Sequence, residues 1–182
     1  AIEQAKTIAK KIETGENSVL CGLPLAIKDA FCTQGIRTTM ASKMLDSVTI
    51  SNGIVWTKDQ KTMYYIDTPT GSIRAFDFDP KSSSISNERV AVVVPESLGY
   101  PDGMTIDEED KLWVGLWNGN AVGRFDPISG KLISKIEVPA HNVTSCSFGG
   151  ENFETLYITT ASVDMTDEEH QKYPLAGSLF EV

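Results

Sequence analysis

Apolar and polar residues alternate over short stretches in most of this chain, and the pattern is clearest between residues 100 and 119. Alternation over 100–106, a charged turn at 107–111 and a second apolar run over 112–117 predict two strands joined by a tight turn. Asn118 and Gly119 follow as a typical hairpin pair. In this interpretation, Asp102 lies in a short turn that opens the first strand.

The same pattern occurs three times, and this repetition decides the predicted fold. The copies cover residues 51–77, 100–138 and 144–182. Repeats of about 40–50 residues with four short strands each are typical of β-propeller blades, whereas solenoid repeats are shorter or helical. The predicted fold class is therefore all-β, a partial propeller of about three blades.

Three positions are equivalent when the copies are aligned: Asn52, Asp102 and Ser145, separated by 50 and 43 residues. The third copy also contains an insertion, residues 162–175, whose acidic and polar composition predicts an exposed loop. The acidic run 107–110 is interpreted as a solvated face of its turn. Cys146 is interpreted as a small buried residue.

Residues 1–48 do not follow the β pattern. Apolar side chains at helical spacing predict a helix over residues 1–16, and the remainder of this segment is mixed. The chain is therefore predicted to contain two regions: an α-helical and mixed N-terminal segment, 1–48, and a three-blade half propeller, 49–182.

Composition narrows the classes of partner. The net charge of −9 argues against nucleic acid and anionic membranes, because both require a basic surface. No apolar run reaches the roughly 18 residues of a membrane span. Three cysteines at unrelated spacings imply no disulfide framework, and a cytoplasmic location is expected.

Asn52 and Asp102 are the candidate chemical residues. The inner strands of propeller blades converge on one axis, so these two side chains are expected to lie close together although 50 residues separate them. A carbonyl oxygen and a carboxylate suit hard divalent cations. The alternative is that both residues only stabilise turns, since Asn-Gly and Asp-Gly are common turn pairs.

Several motifs in residues 50–182 resemble the family of regucalcin, senescence-marker protein, gluconolactonase and luciferin-regenerating enzyme. They are Ser-Asn-Gly-Ile-Val-Trp at 51–56, Tyr-Tyr-Ile-Asp-Thr at 64–68, Ala-Phe-Asp at 75–77, Tyr-Pro-Asp-Gly-Met at 100–104, Lys-Leu-Trp-Val at 111–114 and Thr-Ser-Cys-Ser-Phe-Gly-Gly at 144–150. The resemblance implies a six-bladed propeller that binds one divalent cation in its channel and hydrolyses a small-molecule lactone.

The resemblance also implies roles for individual residues. Asn52 and Asp102 match metal ligands of the family, and Asp102 matches its catalytic acid/base. The cation is expected to be Ca²⁺, with Zn²⁺, Mn²⁺ and Mg²⁺ as alternatives. In complete family members an N-terminal half supplies a Glu ligand and the Arg and Asn that hold substrate, and the sequence contains no counterpart of that half.

Residues 22–45, with the helix before them, resemble the amidase-signature family, and most closely the amidase-type subunit of the glutamyl-tRNA(Gln) amidotransferase. Lys28 matches the catalytic lysine of that family's Ser-Ser-Lys triad. The glycine-rich loop that carries the two serines is absent, so Lys28 is expected to be catalytically idle.

Three functions are therefore considered for the chain. The first is a metal-dependent lactone hydrolase whose site is either incomplete or completed by a partner chain. The second is a non-catalytic calcium-binding or structural propeller module, and the third is an amidase fragment without its serines. A half propeller exposes two blade edges, so either the amidase-like segment covers one edge or two copies associate as a homodimer through these edges.

Overall fold

The computed structural model describes residues 48–182, which form eleven strands and one short helix. The first sheet contains β1 (Ser51–Trp56), β2 (Thr62–Asp67), β3 (Ser72–Asp79) and β4 (Ser84–Val93). The second contains β5 (Tyr100–Ile106), β6 (Leu112–Trp117), β7 (Ala121–Asp126) and β8 (Lys131–Glu137). The third contains β9 (Asn142–Gly149), β10 (Thr155–Ala161) and β11 (Leu179–Glu181), with helix α1 (Asp167–Lys172) between the last two.

Each sheet is an antiparallel meander in which strands that follow one another in the chain are hydrogen-bonded. Short turns connect them, and several turn residues adopt positive φ angles, such as Asn118 at 60°. Asparagine tolerates this conformation better than most residues, which explains the Asn-rich turn between β6 and β7.

The first two sheets pack face to face around one apolar cluster, which β2 and β3 supply from one side and β5 and β6 from the other. Its members include Ile66, Ile73, Val114 and Leu116, all fully buried. Successive side chains of a strand point to opposite faces, so one set from each strand enters this cluster.

A second cluster, including Val122, Val143 and Ile158, lies between the second and third sheets. Sheets that pack successively in this way are expected from blade-like repeats, because each blade buries its apolar face against its neighbour. The predicted β fold with three successive sheets is confirmed. The predicted helical and mixed segment 1–48, apart from Val48, lies outside the described residues.

Two elements differ from the sequence interpretation. Strand β4, ten residues long, was not predicted, because most of its side chains are exposed and it lacks regular alternation. The interpretation of 162–175 as a loop was wrong over residues 167–172, which form α1. Thr166 and Glu169 make a capping box that stabilises the start of this helix. Among the described residues, no helix is long and apolar enough to cross a membrane.

Candidate functional site

Asn52 and Asp102 lie at the same place in two neighbouring strands. Asn52 and Gly53 form a bulge in β1, between the pairs that Ser51 and Ile54 make with β2. Asp102 and Gly103 form the corresponding bulge in β5. The prediction that residues 101–103 form a turn was therefore wrong, because β5 already begins at Tyr100. A bulge redirects side chains locally and is common next to functional sites.

The third inner strand contains a bulge as well, and its register corrects the predicted alignment. Val143 pairs with Thr160 and Ser145 with Thr159, so Thr144 is the additional residue. Thr144, rather than Ser145, is therefore equivalent to Asn52 and Asp102. The Thr144 hydroxyl lies 2.8 Å from that of Thr159.

The glycines of the first two bulges allow the inner strands to approach one another. A Cβ atom on Gly53 would lie 2.8 Å from the backbone nitrogen of Met104 in β5. A Cβ atom on Gly103 would lie 2.5 Å from the Cβ of Ser145 and 2.7 Å from the carbonyl oxygen of Thr144 in β9. Glycine is thus needed at both positions for close packing between strands, and this packing brings the three bulges to neighbouring positions.

A hydrogen-bonded chain links the first two bulges through Thr68. The Asn52 side-chain nitrogen donates to the Thr68 hydroxyl over 2.6 Å. The Thr68 hydroxyl in turn donates to the carbonyl oxygen of Pro101 over 2.7 Å. Pro101 immediately precedes Asp102, so the hydroxyl connects the side chain of one candidate residue with the backbone next to the other.

Asp102 has an unusual electrostatic environment. Burial removes water from its carboxyl group and raises its pKa to about 6, and the backbone N–H of Gly103 offsets only part of this effect. No cationic side chain pairs with Asp102 within residues 48–182. A desolvated carboxylate without a counter-charge is costly for stability, and such groups are concentrated at functional sites.

The two candidate residues fit a hard divalent cation as part of its ligand set. The Asn52 amide nitrogen is engaged by Thr68, while the side-chain oxygen accepts no hydrogen bond from any described residue. Amide and carboxylate oxygens are ligands that Ca²⁺ prefers. Residues 48–182 contain no cluster of three or more His, Cys, Asp or Glu side chains suited to a metal, so a cation at Asn52 and Asp102 would need further oxygens from other groups.

Asp107, at the opposite end of β5, is a hydrogen-bonding centre that the sequence analysis missed. Its carboxylate accepts from the Trp113 indole N–H at 2.9 Å and from Arg124 Nε at 2.8 Å. It also accepts the backbone N–H groups of Glu109 and Lys111, each at 2.9 Å. The interpretation of 107–110 as a simple solvated face was wrong for Asp107, whose side chain is only 14% exposed.

Burial alone would raise the pKa of Asp107, but the hydrogen bonds from Trp113, Lys111, Arg124 and Glu109 outweigh it, and the pKa is lowered. Arg124 also lies over the Trp113 ring, 5.6 Å from its centroid. This arrangement fixes the β5–β6 turn to β7.

The first residue of β9 is another polar residue whose side-chain oxygen and nitrogen are both hydrogen-bonded. Asn142 is completely buried; its side chain accepts from the Asn118 backbone N–H and donates to the Val163 carbonyl. Next to it, His141 Nε2 lies 3.1 Å from Glu169 Oε1, and the His141 ring stacks on Tyr173. These contacts hold the insertion with α1 against the third sheet. Cys146 is buried as predicted, which raises its thiol pKa to about 12.

Comparisons with known proteins agree with this geometry. The sequence model of the SMP-30/gluconolactonase/LRE-like region matches residues 30–162, so the chain belongs to that family. A second family model, Amidase, matches residues 1–52 and overlaps the first over 30–52. The resemblances inferred from the motifs are thus confirmed. Lys28, the amidase-like residue, lies outside the described residues, and its role stays a prediction.

Individual relatives support the same assignment. The chain is 47% identical over 138 residues to a Bacillus subtilis protein provisionally named the sugar lactone lactonase YvrE, and 42% identical over 140 residues to human regucalcin. These alignments cover 76% and 77% of the chain but 47% of each relative.

Among solved structures, an Agrobacterium tumefaciens regucalcin described as a calcium-binding protein superposes with a TM-score of 0.72 at 27% identity. The match covers 78% of this chain and 48% of that structure. The three sheets therefore correspond to part of a regucalcin-type propeller, and the chain spans about half the length of the curated relatives it matches.

Proposed function

We propose that residues 48–182 supply part of the active site of a divalent-cation-dependent lactone hydrolase. The observation that carries the proposal is the arrangement of Asn52 and Asp102 in equivalent bulges of adjacent inner strands. The raised pKa of Asp102 and its lack of a cationic partner within residues 48–182 support a role in binding a cation. Ca²⁺ is the cation expected first, with Zn²⁺, Mn²⁺ and Mg²⁺ as alternatives.

In the proposed mechanism, Asp102 serves as the acid/base. With a pKa of about 6, its carboxyl group is mostly ionised at pH 7 and can accept a proton from water as that water attacks the lactone carbonyl carbon. The ring C–O bond then breaks, and the same proton can return to the departing ring oxygen. The product is the open-chain hydroxy acid.

The Asn52 side-chain nitrogen is held by Thr68, which leaves the side-chain oxygen as the atom that this residue would offer to a cation. A bound divalent cation would polarise the substrate carbonyl and favour charge on oxygen. Such a cation takes six or more oxygens, so the proposed site requires donors beyond Asn52 and Asp102.

A second copy of this chain is the partner that we propose to supply them. In a symmetric dimer, two three-sheet units would close a ring and place two Asn52–Asp102 pairs around one axis. Light scattering after size exclusion should then give twice the monomer mass, and Mn²⁺ titration should give one cation per two chains. A monomer that binds one cation per chain would contradict the dimer but not the cation site.

Calcium titration by calorimetry tests the site itself. We expect saturable binding to the unaltered chain and a loss of affinity of at least about 100-fold in Asp102→Asn, since a charged ligand is replaced by a neutral one. Asp164→Asn, which alters an exposed carboxylate of the insertion, is the matched control and should bind as before. Equal affinity in the unaltered chain and Asp102→Asn would exclude this site.

A non-catalytic calcium-binding module is the second candidate, and the likeness to the Agrobacterium tumefaciens regucalcin, described as a calcium-binding protein, favours it. Hydrolysis of gluconolactone with and without Ca²⁺ separates the two functions. Cation-dependent turnover that disappears in Asp102→Asn supports the hydrolase. Calcium binding without turnover supports the binding module.

A further inference from the structure

The Thr68 hydroxyl links the Asn52 side chain to the backbone next to Asp102, and the proposed reaction gives it no role. Thr68 begins a short 3₁₀ turn, Thr68–Thr70, immediately after β2. Its backbone N–H donates to the Ile50 carbonyl over 3.1 Å. The adjacent Asp67, almost fully buried, accepts the Ile50 backbone N–H at 2.8 Å. Thr68 and its neighbour Asp67 are thus both hydrogen-bonded to Ile50, in the segment that precedes β1.

The Thr68 hydroxyl has one proton, and the Pro101 carbonyl accepts it. The hydroxyl therefore has only lone pairs left to offer Asn52. The amide nitrogen of Asn52 can donate to these lone pairs, whereas the amide oxygen would be repelled by them. One orientation of the Asn52 side chain is thereby selected, with nitrogen towards Thr68 and oxygen away from it.

The same hydroxyl acts on Asp102 through the backbone. The bond to the Pro101 carbonyl fixes the peptide plane that joins Pro101 to Asp102, the first residue of the β5 bulge. A change in this plane would rotate the bulge and move the Asp102 carboxyl group. A single hydroxyl therefore sets the direction of an amide oxygen in one sheet and of a carboxylate in the next.

We propose that Thr68 is a positioning residue for the cation site, a role that rests on the function proposed above. Thr68 contacts neither cation nor substrate; it orients the Asn52 oxygen and fixes the backbone next to Asp102. Hydrogen-bonding partners of metal ligands typically account for about 10- to 100-fold in metal affinity. A merely structural Thr68 would instead contribute to the attachment of the first sheet to the second.

Thr68→Val tests the proposal because it removes the hydroxyl and keeps the branched shape. We expect Ca²⁺ and Mn²⁺ affinity, measured by calorimetry, to fall about 10- to 100-fold. Thr68→Ser restores the hydroxyl and should bind within about 3-fold of the unaltered chain, well inside the loss expected for the valine variant. Thr70→Val is the matched control: its hydroxyl lies on the same turn and donates to the Asp67 carbonyl, but contacts neither candidate ligand.

The outcomes separate the alternatives. Unchanged affinity in Thr68→Val overturns the positioning role, and equal losses in Thr68→Val and Thr70→Val reduce it to general support of the turn. Absence of cation binding in the unaltered chain overturns the proposed function together with any role of Thr68 in it.

A second measurement needs no cation and no folded valine variant. In the cation-free unaltered chain, the Asn52 side-chain amide protons, assigned by the signal lost in Asn52→Asp, should show one hydrogen-bonded and one free proton by nuclear magnetic resonance. Two protons that both have the chemical shifts and solvent-exchange rates of an exposed asparagine side chain would contradict the geometry itself.

Discussion

The two ends of strand β5 carry aspartates in opposite circumstances. Asp107 accepts four hydrogen bonds, from an indole, a guanidinium and two backbone N–H groups, and its pKa is lowered. Asp102, five positions earlier, is desolvated without a cationic partner in the described part of the chain, and its pKa is raised to about 6. The ionised Asp107 carboxylate therefore stabilises the folded chain, whereas the ionised Asp102 carboxylate destabilises it.

This contrast helps to distinguish structural from functional acids. A buried charge with all its hydrogen bonds stabilises the folded state, whereas one without partners is tolerated when another benefit compensates for it. Both residues are aspartates, and they lie in the same strand-and-turn unit. Residues of β6 and β7 surround Asp107, whereas the bulge surrounds Asp102, and this difference in surroundings explains their different pKa values.

Removing the Asp107 side chain should have the largest effect on stability. In Asp107→Ala, the indole N–H of the partly buried Trp113 and the Arg124 guanidinium lose this acceptor. We expect the free energy of unfolding to fall by about 3–4 kcal/mol, measured by urea denaturation. Glu108→Ala, in the same turn but exposed, should change it little. Similar losses in both variants would contradict the proposed difference between the two ends.

A methyl group at the bulge tests the Asp102 end by packing. In Gly103→Ala, the new Cβ would collide with Ser145 and with the Thr144 carbonyl, so we expect a loss of about 2–3 kcal/mol in the same denaturation measurement. Adding Ser145→Gly removes the side-chain collision but leaves the carbonyl, and should recover part of the loss. No recovery at all would show that the strands do not meet as described.

Asp102→Asn should stabilise the cation-free protein at neutral pH. The pKa of Asp102 is about 6 in the folded chain, against an ordinary value of 3.8, so its stability contribution is fully present below pH 3.8 and is lost as the pH rises through 6. The variant avoids this loss. At pH 8 in the presence of a chelator, we expect a gain of about 1–2 kcal/mol, reduced from the full shift because the side chain is partly exposed.

The pH dependence provides the control for this variant. Below pH 4 the difference in stability between the two proteins should reach a constant value, which reflects only the exchange of a protonated carboxyl group for an amide. A difference that does not vary between pH 4 and pH 8 would show that the Asp102 pKa is not raised.

Glu109→Gln should have the smallest effect. Glu109 contacts the Arg124 guanidinium directly, but its side chain is 71% exposed. Exposed ion pairs contribute little, so we expect a change below about 0.5 kcal/mol in thermal or urea unfolding. A loss comparable to that of Asp107→Ala would mean that charge pairing, rather than burial with complete hydrogen bonding, distinguishes this end of β5.

The sequence was sufficient to predict the three sheets and the equivalence of Asn52 and Asp102, because alternation and repeated turns are local signals. It did not reveal β4, whose polar, exposed residues carry no such signal. The one available signal for α1 was the Thr166–Glu169 spacing of a capping box.

The roles of Asp107, Thr68 and Thr144 depended on register, which a linear pattern does not specify. Asp107 meets Trp113 and Arg124 only because the β5–β6 and β6–β7 hairpins align them. Thr144 replaces Ser145 as the third equivalent residue because of a bulge that shifts the β9–β10 pairing. The Thr68 hydroxyl reaches Asn52 and Pro101 from a turn of a different hairpin.

The bulge glycines also restrict which sheets could pack next to one another. Gly53 and Gly103 each present a bare backbone to the following sheet, and the residue that fills this space is Met104 in one case and Ser145 in the other. Ser145 itself stands where the first two sheets have glycine. A sheet packed after the third would therefore have to accommodate a hydroxymethyl group where the first two sheets present only a hydrogen.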